Sequence, residues 1–284
     1  MYFPTGFFQL VAAGVTIGMS LAQVEAAVVQ SDHLALELVS ESATLAPGET
    51  AWLGLVLRHD AHWHSYWTNP GDSGLPTRLS WTLPPGFTVD QIAWPAPTRF
   101  EVGGLYNFGY ADEQLLPIAV HVPATAVPGE TVALSVEVKW LVCREECIPG
   151  KATLDIELPI AKDDASGRGM HHDLFTAARD ATPIATPWTG SARLAGERIA
   201  IEIDGAGLPS TEGLDVFAVE RRILDNAPAS LRRDGDKLLI DVARNDYFDK
   251  SPAALDLVLT RTMTNGRAVA WQVRVPFLVE PSTK

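Results

Sequence analysis

Cys143 and Cys147 are the only cysteines in the 284 residues, within Trp140-Leu141-Val142-Cys143-Arg144-Glu145-Glu146-Cys147-Ile148-Pro149-Gly150. Joined to each other they close a very small loop. Chain entropy credits such a loop with about 2 kcal/mol or less, against about 3 for a fifteen-residue loop. A bond that stabilises so little is a poor staple for a chain of this length, and it is better suited to being made and broken. The spacing is not C-x-x-C and no helical pattern follows it, so a thioredoxin fold is not indicated. Glu145 and Glu146 lie inside the loop, with Arg144 as the sole adjacent cation. Carboxylates disfavour a thiolate, so the pair reads as one attacked by partners rather than as a strong nucleophile. Cys147, followed by Ile148-Pro149-Gly150, is the sulfur expected to be more exposed. Two other readings stay open: a permanent hairpin disulfide, and a thiol pair that binds metal.

Other residues invite chemistry less specifically. In His59-Asp60-Ala61-His62-Trp63-His64, a strand would project His62 and His64 from one face, and an imidazole pair suits copper or zinc. Packing of these side chains against tryptophan is the plainer reading. Met170-His171-His172 offers a soft copper site or a solvated stretch. Asp72 and Ser73 have no base partner legible in sequence, so a hydrolase is not supported. Trp52, Trp63, Trp67, Trp81 and Trp94 are expected in a core rather than on a sugar- or peptide-binding platform.

The composition limits the class. Twenty-two basic against 35 acidic residues give a formal charge of −13, which argues against nucleic acid and anionic lipid as partners. Phe7 to Ala22 is apolar and uncharged, and small residues follow near Ala26 and Ala27. Residues 1–26 therefore read as a cleavable signal peptide, although no Lys or Arg precedes the apolar run. Export would place the cysteines where disulfides persist.

The elements that must position the cysteines are strands. Val132, Leu134, Val136, Val138, Trp140 and Val142 alternate with smaller or charged residues, and Leu154, Ile156 and Leu158 repeat the pattern after a turn region carrying Pro149 and Gly150. Leu34 to Leu38 and Trp52 to Leu57 read as further strands. Pro and Gly punctuate the intervals. Residues 161–187 read as a linker with a short helix over Asp173 to Arg179. Strand patterning resumes at Arg198–Ile203, Leu214–Val219, Lys237–Val242, Ala254–Thr260 and Ala268–Val275. The expected fold class is all-β, with two immunoglobulin-like sandwiches at about 30–160 and 188–284.

The segment Trp63-His64-Ser65-Tyr66-Trp67-Thr68-Asn69-Pro70-Gly71-Asp72-Ser73-Gly74-Leu75-Pro76-Thr77 resembles the signature of the amino-terminal periplasmic domain of the DsbD family. It is most similar to the ScsB branch, linked to copper tolerance. Trp94-Pro95-Ala96-Pro97, the Phe100 to Tyr110 stretch and the W-L-V-C-x-x-x-C-x-P pattern of Trp140 to Pro149 extend the resemblance over residues 35 to 160. The resemblance implies a periplasmic domain whose cysteine pair, here Cys143 and Cys147, works without a cofactor. Electrons would come from a membrane-embedded thiol-transfer partner and pass to thioredoxin-like or disulfide isomerase-like proteins. It also implies a cap loop over the pair, either Asn69 to Pro76 or Phe100 to Tyr106. In DsbD itself the pair is spaced more widely. Family members usually continue into membrane and thioredoxin-like domains, whereas this sequence stops at Lys284. The electron donor is therefore expected on a separate polypeptide, unless the chain is a stand-alone relative with another role.

Overall fold

The computed structural model describes residues 27–162, 169–262 and 268–278. The expected signal peptide lies outside the described residues. Among the described residues the architecture is all-β with one helix, arranged as two sandwiches.

The first sandwich has eleven strands: β1 Val29–Ser31, β2 Leu34–Ser40, β3 Thr50–His59, β4 Ser65–Gly71, β5 Arg78–Thr82, β6 Thr88–Val89, β7 Thr98–Val102, β8 Leu105–Tyr110, β9 Glu113–His121, β10 Thr131–Cys143 and β11 Cys147–Pro159. They form sheets in the orders β1-β2-β3-β9-β6, β11-β10-β5 and β4-β8-β7. Period-two alternation places Leu36 and Leu38, Leu55 and Leu57, Leu116 and Ile118, and Leu134 to Val142 in one core. Burying each such side chain contributes about 1.5–3 kcal/mol.

The β10–β11 hairpin departs from the turn expected at Pro149 and Gly150. Both residues lie inside β11, opposite Leu141 and Trp140, and the turn is Arg144-Glu145-Glu146. The ladder explains why a proline is tolerated there. Cys143 spends both backbone groups on His64, donating N–H to its carbonyl and accepting its N–H, each at 2.9 Å. Cys143 and Cys147 are therefore a non-hydrogen-bonded pair, and alternation makes Leu141–Pro149 another. The Pro149 nitrogen faces away from β10 on an edge strand, so no ladder bond is lost. Gly150 is required by packing, since a Cβ there would lie 2.1 Å from Trp140 Cε2.

The second sandwich contains β13 Thr189–Ala195, β14 Arg198–Asp204, β15 Leu214–Ala218, β16 Ser230–Asp234, β17 Lys237–Ala243, β18 Ala254–Thr262 and β19 Ala268–Leu278. Its order is β15-β18-β19-β13-β14-β17-β16. The end of β19 pairs with β13 only through Phe277 and Leu278, so one strand joins the two halves at a corner. Ile201, Ile203, Leu238 and Ile240 of one half meet Leu255, Leu257, Val273 and Val275 of the other.

The connection between the sandwiches is packed. Helix α1, His172–Ala181, lays Phe175 and Ala178 on Val39, Val56 and Leu115, the outer face of β2, β3 and β9. Arg179 forks onto Glu41 at 2.6 and 2.8 Å. β12, Ile184–Ala185, then adds to β19 in parallel. The β15–β18 ladder is buried on both faces. Val216 and Leu257 enter the second core, while Phe217 and Val258 enter the first.

Candidate functional site

The site is the end of the β10–β11 hairpin. Cys143 and Cys147 are directly opposed, their Cα atoms are 4.1 Å apart, and they form a disulfide. A non-hydrogen-bonded pair brings facing side chains closest, so the ladder itself delivers the two sulfurs to each other. Cys143 is 2% exposed, whereas Cys147 is exposed at the turn. Among the described residues there is no free cysteine.

The short bridge from His64 to Cys143 extends this ladder onto the start of β4. Directly paired residues share a sheet face, so His64, Cys143 and Cys147 form a row across three strands. Tyr66, two residues beyond His64, lies on that face as well. Its hydroxyl donates toward Cys147 Sγ at 3.5 Å. The His64 and Tyr66 rings meet edge to face at 5.3 Å. Trp63, on the opposite face, is stacked by His33 at 3.9 Å and faced by the Arg144 guanidinium at 5.7 Å.

Burial dominates the electrostatics. His64 is 3% exposed, its Nε2 has no hydrogen-bond partner, and burial together with nearby His59 pushes its pKa down to about 4. Burial also lowers His59, although Asp112 opposes the shift. Both rings are neutral at neutral pH, so no imidazolium stands beside Cys143 to favour its thiolate. Burial raises the Tyr66 phenol, opposed by its hydrogen bond with Ser73, which keeps it a proton donor.

Both loops suggested as a cap reach this row. Phe100 on β7 stacks on His64 at 4.7 Å. Its hairpin turns at Gly103-Gly104, both at positive φ, as a tight two-residue turn requires. Gly74 in the Asn69–Pro76 segment lies against the face of Tyr66, where a Cβ would come within 2.2 Å of the ring. An open cleft beside the disulfide turn is lined by His62, Trp63, His64, Phe100, Val102 and Arg144.

The other sequence candidates separate. His62 and His64 do not share a strand face. His62 is exposed in a turn at φ 71°, and the extended pattern begins only at His64 because Trp63 N–H closes the turn onto the Asp60 carbonyl. No cluster of three or more metal-ligating side chains occurs among the described residues. Met170 is exposed, and His172 faces Glu41 at the start of α1. Asp72 accepts from Tyr106 N–H at 2.7 Å, and Ser73 Oγ donates to Asn107 at 2.9 Å, so these residues fix a loop. Trp63 and Trp67 are buried, while Trp52, Trp81 and Trp94 are partly covered by the cores. The individual positions of Tyr66 and Arg99 were not singled out in sequence. Tyr66 stood inside the quoted signature segment, while nothing in sequence marked Arg99.

The site is thus a cross-strand disulfide at the end of an immunoglobulin-like sandwich, with one half-cystine buried and one exposed. Residues 35–159 match the family described as thiol:disulfide interchange protein DsbD, N-terminal. Among solved structures, the N-terminal periplasmic domain of ScsB from Proteus mirabilis is similar with TM-score 0.64 and 16% identity, covering 88% of this chain and 97% of that one. That coverage extends the shared fold over both sandwiches. The yeast GGA1 GAE domain (TM-score 0.26, 17% identity, 48% of this chain and 99% of that one) and the E. coli chaperone DraB (TM-score 0.25, 9% identity, 84% and 97%) align too weakly to bear on the fold. No match was found among curated proteins.

Proposed function

We propose that this chain is a periplasmic thiol–disulfide exchange protein that relays electron pairs through Cys143 and Cys147. The observation that carries this reading is the asymmetric disulfide, exposed at Cys147 and buried at Cys143, within the stretch that matches the DsbD amino-terminal family. A donor thiolate attacks Cys147 Sγ, the Cys143–Cys147 bond breaks, and Cys143 leaves with the electron pair and takes up a proton. The donor's second thiolate then attacks the donor sulfur of the mixed disulfide and releases Cys147. The donor is oxidised to a disulfide and the pair is reduced by two electrons. With an acceptor disulfide the steps run in reverse. Tyr66 O–H, already directed at Cys147 Sγ, stabilises the thiolate that forms there. No organic cofactor enters the chemistry.

The donor in this reading is a membrane-embedded thiol-transfer protein, and the acceptors are periplasmic thioredoxin-like or disulfide isomerase-like proteins. Tolerance of copper stress is the setting suggested by the ScsB likeness. The test is trapping. Cys143→Ser leaves Cys147 to hold a mixed disulfide with a thioredoxin-like partner that lacks its resolving cysteine, and a stable covalent complex is expected. Cys147→Ser should trap far less. Equal failure of both variants to trap overturns the proposal.

A further inference from the structure

The two loops that reach the cysteine row are held from the other sandwich. Arg99 stands next to Phe100 on β7, and strand alternation sends the two side chains to opposite faces. Phe100 goes to His64, and Arg99 goes to the second sandwich. The Arg99 side chain is only 9% exposed. Its guanidinium forks onto Asp215 at 2.5 and 3.2 Å, donates to the Val216 carbonyl at 3.0 Å, and also donates to the Asn226 carbonyl. It lies 4.9 Å from the centres of both Phe108 and Phe217.

The Asn69–Pro76 segment is tied to the same surface. Asn69 Nδ2 donates to the Ala218 carbonyl at 2.8 Å, and Asn226 Nδ2 donates to Asp72 Oδ1 at 2.7 Å. Asp72 Oδ2 then accepts from Tyr106 N–H, which links the segment to the β7–β8 hairpin. Asn226 therefore serves both loops, through its carbonyl to Arg99 and through its side chain to Asp72. A planar, always-charged guanidinium with five donors suits a junction of this kind. Removing this buried guanidinium is costly because Asp215 and the Val216 and Asn226 carbonyls lose their donor.

We infer that the second sandwich is a brace that holds both loops against His64 and Tyr66 beside the disulfide, with Arg99 as the positioning residue that transmits the restraint to Phe100. The inference deepens the exchange reading, on which its biological meaning rests, by giving the second sandwich a part in controlling access to the sulfurs.

The test is the rate at which excess dithiothreitol reduces Cys143–Cys147 in the full chain, followed by thiol trapping, with the melting temperature measured alongside. Arg99→Ala releases the hairpin and should raise that rate by about tenfold, the scale of opening a locally closed state. Arg99→Lys keeps the charge but not the fork and should give an intermediate rate. Asp215→Asn, the milder variant, should also accelerate reduction, and it decides the matter if Arg99→Ala does not fold. Phe100→Ala removes the ring that packs on His64 without touching the brace and sets the upper limit. A purely structural role for Arg99 would lower the melting temperature and leave the rate unchanged. Wild-type rates in both Asp215→Asn and any folded Arg99 variant overturn the inference. Excess dithiothreitol reduces the bond whether or not cellular partners can, so this rate ratio reports on the brace, while failure of the exchange reading appears in the trapping experiment.

Discussion

The two sandwiches use the same alternation of apolar and polar residues but differ in what they bury. In the second, the buried polar side chains among the described residues are Asn226 and Asn245, and the strand pairings keep their register. In the first, Glu37, Ser40, His64, Ser65, Asn69, Thr77 and Asn107 are buried. The pairing of β4 with β8 shifts register between Tyr66 and Gly71. His33, His62 and Asp112 hold positive φ close to the site, a conformation that carries strain in non-glycine residues. Several of these departures, His64, Ser65 and the turns at His33, His62 and Asp112, lie in or beside one short row, from His64 through Cys143 to Cys147. A sheet departs from its own regularities where something other than stability is at stake. The regular sandwich contributes a firm surface against which the irregular one is held.

The largest expected effect separates chemistry from stability within the irregular sandwich. Cys147→Ser should abolish exchange, read as reduction of a glutathione or protein disulfide, while the loss of a small loop costs about 2 kcal/mol or less in urea unfolding. Collapse of the fold instead would make the bond a staple. Next is the seam between the two regions. Phe217→Ala removes a ring that is 1% exposed and packed on Trp67 and Phe108. It should cost about 3–5 kcal/mol and split one unfolding transition into two. Ile240→Ala, inside the regular core, should cost about 2–5 kcal/mol without splitting the transition.

The third prediction concerns pH. His64 titrates near 4 when folded, against an ordinary 6.5. Between these values the unfolded chain binds more protons, so stability is fully present above pH 6.5 and falls as the pH drops toward 4. The loss is on the order of 2–3 kcal/mol, with His59 acting in the same direction. His64→Phe should flatten the profile, as shown by urea midpoints from pH 7.5 to 4.5. A profile unchanged by the substitution would remove His64 as the source. Smallest is Gly150→Ala, which presses a methyl group into Trp140 and should cost about 1–3 kcal/mol without altering the reaction with small thiols.

Long regular strands were legible because their period is written in every second residue. β10, β14, β17 and β18 fall where alternation placed them, within a few residues. β9 was hidden by Pro117, which the sheet tolerates because neighbouring β6 reaches only Val120 and His121. β5, β7 and β16 are short strands whose pattern is too brief to read. The start of β11 was mistaken for a turn because Pro149 and Gly150 are turn residues in isolation, and only the phase of hydrogen bonding with β10 makes them strand residues. The cysteines announced themselves by rarity and spacing. Tyr66 could be reached only through its segment, and Arg99 not at all, because its partners Asp215 and Asn226 lie more than a hundred positions away.

The most direct measurement is the reduction potential of the Cys143–Cys147 pair, obtained by equilibrating the protein in glutathione and dithiothreitol buffers and trapping the free thiols. A relay requires a value in the exchangeable range of roughly −120 to −270 mV, and that is the result expected. A value well below about −300 mV would mark a permanent structural bond and contradict the account.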